Sequence, residues 1–353
     1  MKKFFSKLFD WEQWHYDVLY FPVGIFWLYY TIRSRAFWYF TPVNPTLIFA
    51  GFEGGSKWEM YNQLPKWVLP VTLLGDNQQP VEQIKKQIAG AGLQYPFVVK
   101  PDTGMQGAMF AVIKNENMLQ RYHEVIGEKY IIQSFISEPV EFSVFYIRYP
   151  GEKNGKITGM VTKDFFHVTG DGKSTLEKLV TDHPKASLRT LELKERHKDN
   201  WQTVPAAGEN FILNHAGNHR HGARFINLNN EIDQRLHNVF DKISHEANQL
   251  YFGRFDLKCT SLEDMKQGKN IQVLEYNGAG AVTIHMFDCG MSYFGALKEI
   301  VTHWRHLYKI GRINNRAGVR YWNFSEGWRF MKKTKQNFQR LLEVEKLYNN
   351  NKQ

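Results

Sequence analysis

Arg254-Phe255-Asp256-Leu257-Lys258 and, after a polar loop, Ile271-Gln272-Val273-Leu274-Glu275-Tyr276-Asn277 decide how this chain is read. In both stretches apolar, β-branched or aromatic residues alternate with polar ones, the period of a half-buried strand. Gln267-Gly268-Lys269-Asn270 supplies a turn between them, so the pair is predicted to form a hairpin. Residues two apart on a strand share a face, which sets Glu275 beside Asn277 and Arg254 beside Asp256. Three oxygen donors, Asp256, Glu275 and Asn277, with no thiolate or imidazole, suit a hard cation such as Mg2+ that keeps waters and shares substrate phosphates. Arg254 would neutralise charge developing next to that metal. The plain alternative is a solvated acidic hairpin.

At 353 residues the chain is long enough for one large domain of sub-lobes, or for two domains. Its hydrophobic fraction of 43% and charged fraction of 23% are those of a globular protein, while the 15% aromatic content is high and front-loaded. A net charge of +10 fits anionic partners: nucleotide phosphates, an anionic membrane surface or nucleic acid. Cys259 and Cys289 make no metal-ligand spacing and suggest no disulfide framework, so a reducing cytoplasm is expected. Met1-Lys2-Lys3 begins like a signal peptide, but Asp10 and Glu12 interrupt any apolar region behind it, and secretion is rejected.

The expected organisation is an aromatic N-terminal segment over 1–45, a main domain over 46–290 and a helical, basic C-terminal extension over 291–353. Val81–Gly90 reads as an amphipathic helix; Phe97-Val98-Val99, Tyr130-Ile131-Ile132 and Phe142–Ile147 read as strands. Ile232, Leu236, Val239, Phe240, Ile243, Ala247 and Leu250 mark one face of a helix that feeds the Arg254 strand. Strands alternate with helices, so the class is mixed α and β. The basic C-terminal helix, with Arg329, Lys332, Lys333, Lys335 and Arg340, is read as a solvated face, and nucleic acid as a poor candidate partner.

A second cluster of chemistry follows the strand Phe97–Pro101. Lys100 stands at its end, and Gly104 and Gly107 lie in the loop Asp102–Met109. Glycines there let backbone N–H groups approach phosphate oxygens, and the lysine adds a point charge. The lysine precedes the glycines, so this is not a Walker A motif. An ordinary β-hairpin is the competing reading.

Taken in order, Lys57, Lys100 with its glycine loop, Gln133-Ser134-Phe135-Ile136, Glu141, Arg254, Asp256, Glu275 and Asn277 resemble the ATP-grasp superfamily, closest to the D-alanine–D-alanine ligase type. The resemblance covers roughly residues 55–290. It implies an α+β ATP-grasp fold, two lobes clasping ATP, here with an abbreviated N-terminal region and a helical basic C-terminus. It also implies a reaction class: ATP phosphorylates a carboxylate, and an amine or other nucleophile, a thiol included, attacks the acyl phosphate. On the matching positions, Lys57 would reach the adenosine side of the α-phosphate and Lys100 the α- and β-phosphates, with Gly104–Gly107 as the flexible lid. Gln133, Phe135 and Ile136 would lie on the inter-lobe strand whose backbone meets the adenine edge, and Glu141 would take the ribose hydroxyls. This chain lacks the family's acid at the Gln133–Ser134 position and has one extra residue before Glu141. Asp256 would hold one Mg2+, Glu275 bridge two ions and Asn277 hold the second, with Mn2+ an admissible substitute. Arg254 would stabilise the tetrahedral state. Lys163 is a candidate γ-phosphate contact.

The substrate half is less legible. Thr169–Leu179 resembles a stretch of the ATP-grasp enzymes that make cyanophycin and glutathione-like peptides, and physically it reads as a Gly-Asp-Gly turn entering a helix capped by Ser174. A capped helix and nothing more is the alternative. Between His215 and His221 the chain holds three histidines within seven positions, without a carboxylate or cysteine. It is read as a loop over the acceptor pocket, with His219, Arg220 and Arg224 facing an anionic group, rather than as a zinc site. Met286 stands where the D-alanine ligases present a serine, so the acceptor is expected not to be D-alanine. A non-catalytic ATP-binding module at a membrane surface is the rival function.

Between Asp17 and Arg33 the chain is uncharged and rich in Tyr, Trp and Phe, yet Pro22 and Gly24 interrupt it, and it falls short of the roughly 20 apolar residues of a spanning helix. Two readings stand level. Either the aromatics dock peripherally on the cytoplasmic face of a membrane, aided by Lys2, Lys3, Lys7, Arg33 and Arg35, or they pack on the body as core. Oligomeric state stays open.

Overall fold

A computed structural model describes residues 11–14, 16–214 and 224–350. From the N-terminus, α1 (Tyr16–Tyr20) and α2 (Gly24–Ser34) lead through an irregular aromatic stretch to α3 (Lys57–Gln63). The first lobe then runs β1 (Thr72–Gly75), α4 (Val81–Gly90), β2 (Phe97–Pro101), β3 (Ala111–Ile113), α5 (Glu116–Ile126) and β4 (Tyr130–Ser134). Its four strands form an antiparallel sheet in the order β1-β4-β2-β3. Ile84 and Ile88 of α4 and Leu119, Tyr122 and Ile126 of α5 bury against it, the i, i+3, i+4, i+7 face their spacing dictates.

The second lobe holds β5 (Val140–Ile147), β6 (Lys156–Asp164), β7 (Phe166–Thr169), α6 (Leu176–Asp182), α7 (Thr190–Arg196), β8 (Asn210–Asn214), β9 (Arg224–Asn227), α8 (Gln234–Glu246), β10 (Phe252–Cys259), α9 (Leu262–Lys266) and β11 (Gln272–Asn277). Five strands form an antiparallel sheet, β11-β10-β5-β6-β9, and β7 pairs with β8 in a small separate ribbon. The α8 face foreseen from sequence packs on the back of the five-stranded sheet: Leu236, Phe240 and Ile243 meet Val144, Phe255 and Leu257 in one core. Burying each such side chain stabilises by about 1.5–3 kcal/mol. Asp233 caps that helix by accepting from the Leu236 backbone N–H.

Two long helices, α10 (Tyr293–Arg316) and α11 (Phe324–Asn350), complete the chain. The expected boundaries near 45 and 290 do not separate hydrophobic cores. Tyr39, Phe40 and Phe49 share one cluster with Phe145 and Phe252 of the sheet and Leu307 of α10, and Leu341 and Tyr348 of α11 complete the first lobe's core. Asn44 stitches the junction: its buried amide donates to Ala50 O and Phe252 O and accepts from the Tyr251 and Phe252 N–H groups. All of its capacity toward the backbone is used, which fixes the aromatic stretch to the start of β10.

Three local expectations change in detail. The connection between the paired strands carries the short helix α9, capped by Ser261, rather than a bare turn. The residue capping α6 is Thr175, because Ser174 is taken by Asp171, to which it donates from both its backbone N–H and its hydroxyl. The N-terminal aromatics divide between two roles. Trp11, Leu19, Val23 and Tyr30 are buried, while Phe21, Ile25, Leu28 and Ile32 are exposed. No described helix is long and apolar enough to cross a membrane. The segment from His215 to His221 lies outside the described residues, as do Lys2, Lys3 and Lys7.

Candidate active site

Strand register builds the site. β10 and β11 pair antiparallel with Asp256 opposite Glu275 and Arg254 opposite Asn277. β10 pairs on its other edge with β5, setting Ser143 opposite Asp256 and Glu141 opposite Lys258. Alternation then puts Arg254, Asp256, Glu275, Asn277, Ser143, Glu141 and, from β6, Lys163 on one face, while Phe255, Leu257, Val144 and Val273 fill the core behind.

The centre of that face is Asp256. Arg254 grips it with two parallel bonds, Nε to Oδ1 at 3.0 Å and Nη2 to Oδ2 at 2.9 Å. The Ser143 hydroxyl donates to Oδ1, Asn277 Nδ2 donates to Oδ2 at 3.0 Å, and Lys163 Nζ stands 3.7 Å away. Burial works against a charged Asp256, but Arg254 and Lys163 overrule it and hold its pKa far below the ordinary carboxylate range. Lys163 pairs with Glu141 at 2.6 Å. Burial disfavours its charge too, yet Asp256 and Glu141 raise its pKa above the usual lysine value.

The first lobe brings two further lysines. Lys100, on β2, donates to Tyr61 Oη at 2.8 Å and to Leu274 O, next to Glu275, at 3.1 Å, and stands 3.4 Å from Gln133 Oε1. Burial pushes its pKa down to about 8, against the pull of Glu275. Lys57 opens α3 and donates to Gly104 O at 2.7 Å. Its pKa is lowered by burial, which Glu275 partly offsets. Asp102 locks that junction by accepting from Ser56 Oγ and the Trp58 N–H.

The glycine loop is short of regular structure, and its turn runs through left-handed backbone at Gln106, Gly107 and Met109. It is also covered. Asn337 of α11 donates to Thr103 O at 2.9 Å, and Glu345 accepts from the Met109 N–H at 3.1 Å. Beyond Asn277 the backbone runs against Ala50–Phe52, with the Gly278 N–H donating to Gly51 O and the Ala279 N–H to Ala50 O. A Cβ on Gly280 would fall 1.9 Å from Phe52 O, which is why glycines follow the asparagine.

The residues foreseen from sequence therefore converge from both lobes, with differences of detail. Gln133 is buried, its backbone paired on both edges with Thr72 and Val98. The linker to the second lobe starts beyond Ser134: Phe135 is exposed, and Ile136 offers its carbonyl to Lys258 Nζ at 3.1 Å. Glu141 faces Lys163 instead of open space. Met286 is fully buried among Trp11, Val161, Phe287 and Ile300. Sequence reading missed Tyr61, Ser143 and Asp102. Only the pairing of β5 with β10 singles out Ser143; Asp102 stood in the glycine loop and had signalled nothing.

The donor chemistry fits a hard cation. Asp256, Glu275 and Asn277 offer only oxygen ligands on one face, and among the described residues the Glu275 carboxylate accepts no hydrogen bond. Asp256 has both oxygens engaged, so Glu275 and the Asn277 amide oxygen are the open donors. A separate group, His285, Glu299 and His303, has its ligand atoms within 4.8 Å of one another, but hydrogen bonds account for it: His285 Nε2 to Glu299 Oε1 at 2.9 Å and His303 Nε2 to Thr158 Oγ1 at 3.0 Å.

No family model matches the chain. Over 219 residues it is 24% identical to the glutathione biosynthesis bifunctional protein of Desulfotalea psychrophila, a match spanning 54% of this chain and 27% of that protein. Among solved structures it is similar to a bifunctional glutathione synthetase from Pasteurella multocida, with TM-score 0.39 and 15% identity over 74% of this chain and 38% of the other. It is also similar to D-alanine–D-alanine ligase from Bacillus anthracis, with TM-score 0.42 and 13% identity over 74% and 69% of the two chains. The chain thus spans about a quarter of the curated relative's length. The ordered lysines, glycine loop, arginine, acids and asparagine, seated where two antiparallel sheets meet, are the residues on which the resemblance to the ATP-grasp superfamily rests.

Proposed function

We propose that the protein is an ATP- and Mg2+-dependent ligase that activates a carboxylate as its acyl phosphate for attack by an amine or a similar nucleophile. The observation that carries this reading is the meeting of the two lobes. Lys100 from the first sheet reaches the backbone of β11 beside Glu275, while Asp256, Arg254 and Lys163 crowd the same face of the second. Fixed cations set among the carboxylates Glu141, Asp256 and Glu275 and the Asn277 amide suit a triphosphate with its metal better than a neutral ligand.

In this reading Lys57 and Lys100 bind and orient the phosphates, and the carbonyl-rich linker around Phe135 and Ile136 meets the base. Asp256, Glu275 and Asn277 would hold Mg2+, which when bound neutralises the phosphate oxygens. Arg254 keeps Asp256 ionised and in place, and with its Nη1 donating to Val282 O at 2.9 Å, its fixed positive charge would act on the reacting carboxylate. Phosphoryl transfer leaves ADP; attack by the nucleophile expels phosphate and forms the new bond to the acyl carbon. The acceptor in this reading is not D-alanine, since Met286 stands at the position where the resemblance expects a serine, and it carries an anionic group. The unpaired Cys259 and Cys289 accord with the cytoplasm.

Incubation with MgATP and panels of carboxylates and amines, followed by ADP and phosphate release, tests this. Glu275→Gln should lower turnover by at least ~100-fold while Tm stays within a few degrees. Binding of ATP without turnover on every panel would favour the rival reading, a nucleotide-binding module without catalysis. Absence of ATP binding ends both.

A further inference from the structure

The exposed residues of the N-terminal helices follow a helical period of their own. Val18, Phe21, Ile25, Leu28, Tyr29 and Ile32 step by three, four, three, one and three residues, so along α1, the 3-10 turn Phe21–Val23 and α2 they keep to the side away from the buried Leu19, Val23 and Tyr30. Phe21 is 84% exposed, Ile25 69% and Ile32 66%. Large side chains this open, six of them in one line, form a contiguous apolar surface of the kind that marks an interaction site. The opposite side of the same helices is fixed to the body. Trp27 meets the Trp304 ring edge-on at 5.1 Å, and Tyr30 stacks on Tyr308 at 4.9 Å, both on α10. Packing on one face therefore holds the stripe outward on a rigid support.

Charge and aromatic placement identify the partner. From Val18 to Phe52 the chain has no acidic residue; its charges are Arg33 and Arg35, both exposed at the end of α2. Just past them, Phe37 contacts Phe324 at 5.2 Å, and Phe324 stacks on Trp328 at 6.0 Å, all three exposed. The next turns of α11 add exposed Arg329, Lys332 and Lys333. An apolar stripe bordered by aromatic rings and then by cations matches the depth profile of a lipid interface: acyl boundary, headgroup level, anionic phosphate plane.

We propose that this face lies on an anionic bilayer surface, α1 and α2 parallel to it, with Phe37, Phe324 and Trp328 at headgroup depth and the arginines and lysines on the lipid phosphates. The described helices rest on the membrane without crossing it, and this holds whether or not the site described above is catalytic.

The test is flotation of the purified full chain with vesicles of phosphatidylcholine alone or mixed with phosphatidylglycerol. Protein should float with the mixed vesicles at low salt, less at high salt, and weakly with phosphatidylcholine. Phe21→Glu with Ile25→Glu should reduce the floated fraction by about tenfold or more without lowering Tm, because both side chains are solvent-exposed. Arg33→Glu with Arg35→Glu should weaken the salt-sensitive part, which Arg329, Lys332 and Lys333 share. Failure of the wild type to float at low salt, or flotation of the Phe21/Ile25 variant at wild-type level, overturns the proposal. So does a dimer, seen by light scattering without lipid, that the same two glutamates dissolve: the face would then be an interface between copies.

Discussion

At the scale of single residues, the site is a balance between buried charge and its partners. Asp256 stays ionised inside the fold because Arg254 clasps it with two bonds and Lys163 stands close by. Arg254→Met removes the clasp and leaves a buried carboxylate with fewer partners, which costs about 3–5 kcal/mol. Urea unfolding at neutral pH reads this; a cost below about 1 kcal/mol would mean that the pair adds little to the fold. Lys100 titrates within reach of experiment, since burial brings its pKa to about 8. A bound triphosphate requires the charged amine, so ATP affinity by calorimetry should fall as pH rises above that value. The fall reaches at most about tenfold per pH unit. Glu275 raises the Lys100 pKa, and Glu275→Gln should therefore move the break to lower pH. A flat profile between pH 7 and 10, both taken as approximate bounds around that pKa, would remove Lys100 from the nucleotide contacts.

At the scale of elements, α11 does work that its sequence did not advertise. Its basic residues suggested a solvated face, and Arg329, Lys332, Lys333 and Lys335 are indeed exposed. The inner side completes the first lobe. Leu341 is buried with Ile84 and Tyr122, Arg340 donates to Ile126 O and pairs with Glu128, and Asn337 holds Thr103 at the entrance of the glycine loop. The loop expected to be a flexible lid is thus tied at both ends by the C-terminal helix. Asn337→Ala should speed hydrogen exchange over residues 103–109 while leaving β2 and β4 protected, because only the tether is lost. Leu341→Ala should cost about 2–5 kcal/mol of global stability. If both variants exchange like wild type throughout, the helix does not restrain the loop.

At the scale of the whole molecule, the contact of α10 with the second sheet carries a pH signature. Burial holds the His303 imidazole neutral, its pKa lowered from 6.5 to about 4. The unfolded chain binds this proton between those two values while the fold does not, so stability should fall as pH drops through that window. The slope from this residue is at most about 1.4 kcal/mol per pH unit. Glu299, whose pKa is lowered by His285 and His303 against the effect of its burial, loses its contribution as pH falls further. His303→Gln, followed by Tm from pH 7 down to 4, taken as approximate ends, should flatten the upper part of that decline. An unchanged slope would assign the acid sensitivity elsewhere.

Much of this was written in local sequence. Period-two alternation marked the strands of Arg254 and Glu275, and a 3.6 period marked the buried faces of α4 and α8, because side-chain direction repeats with backbone geometry and needs no knowledge of distant contacts. The order of lysines, glycines and acids that carries the family resemblance is likewise a property of the linear chain. Ser143, Tyr61 and Asp102 became visible only once strands were paired, since each acquires its role from a residue more than 40 positions away: Ser143 at Asp256, Tyr61 at Leu274 and Asp102 at Ser56. The N-terminal aromatics show the division most plainly. Composition alone made them apolar, whereas packing on α10 decided which rings became core and which face outward, because burial is a property of two surfaces that meet and a sequence carries only one of them at a time.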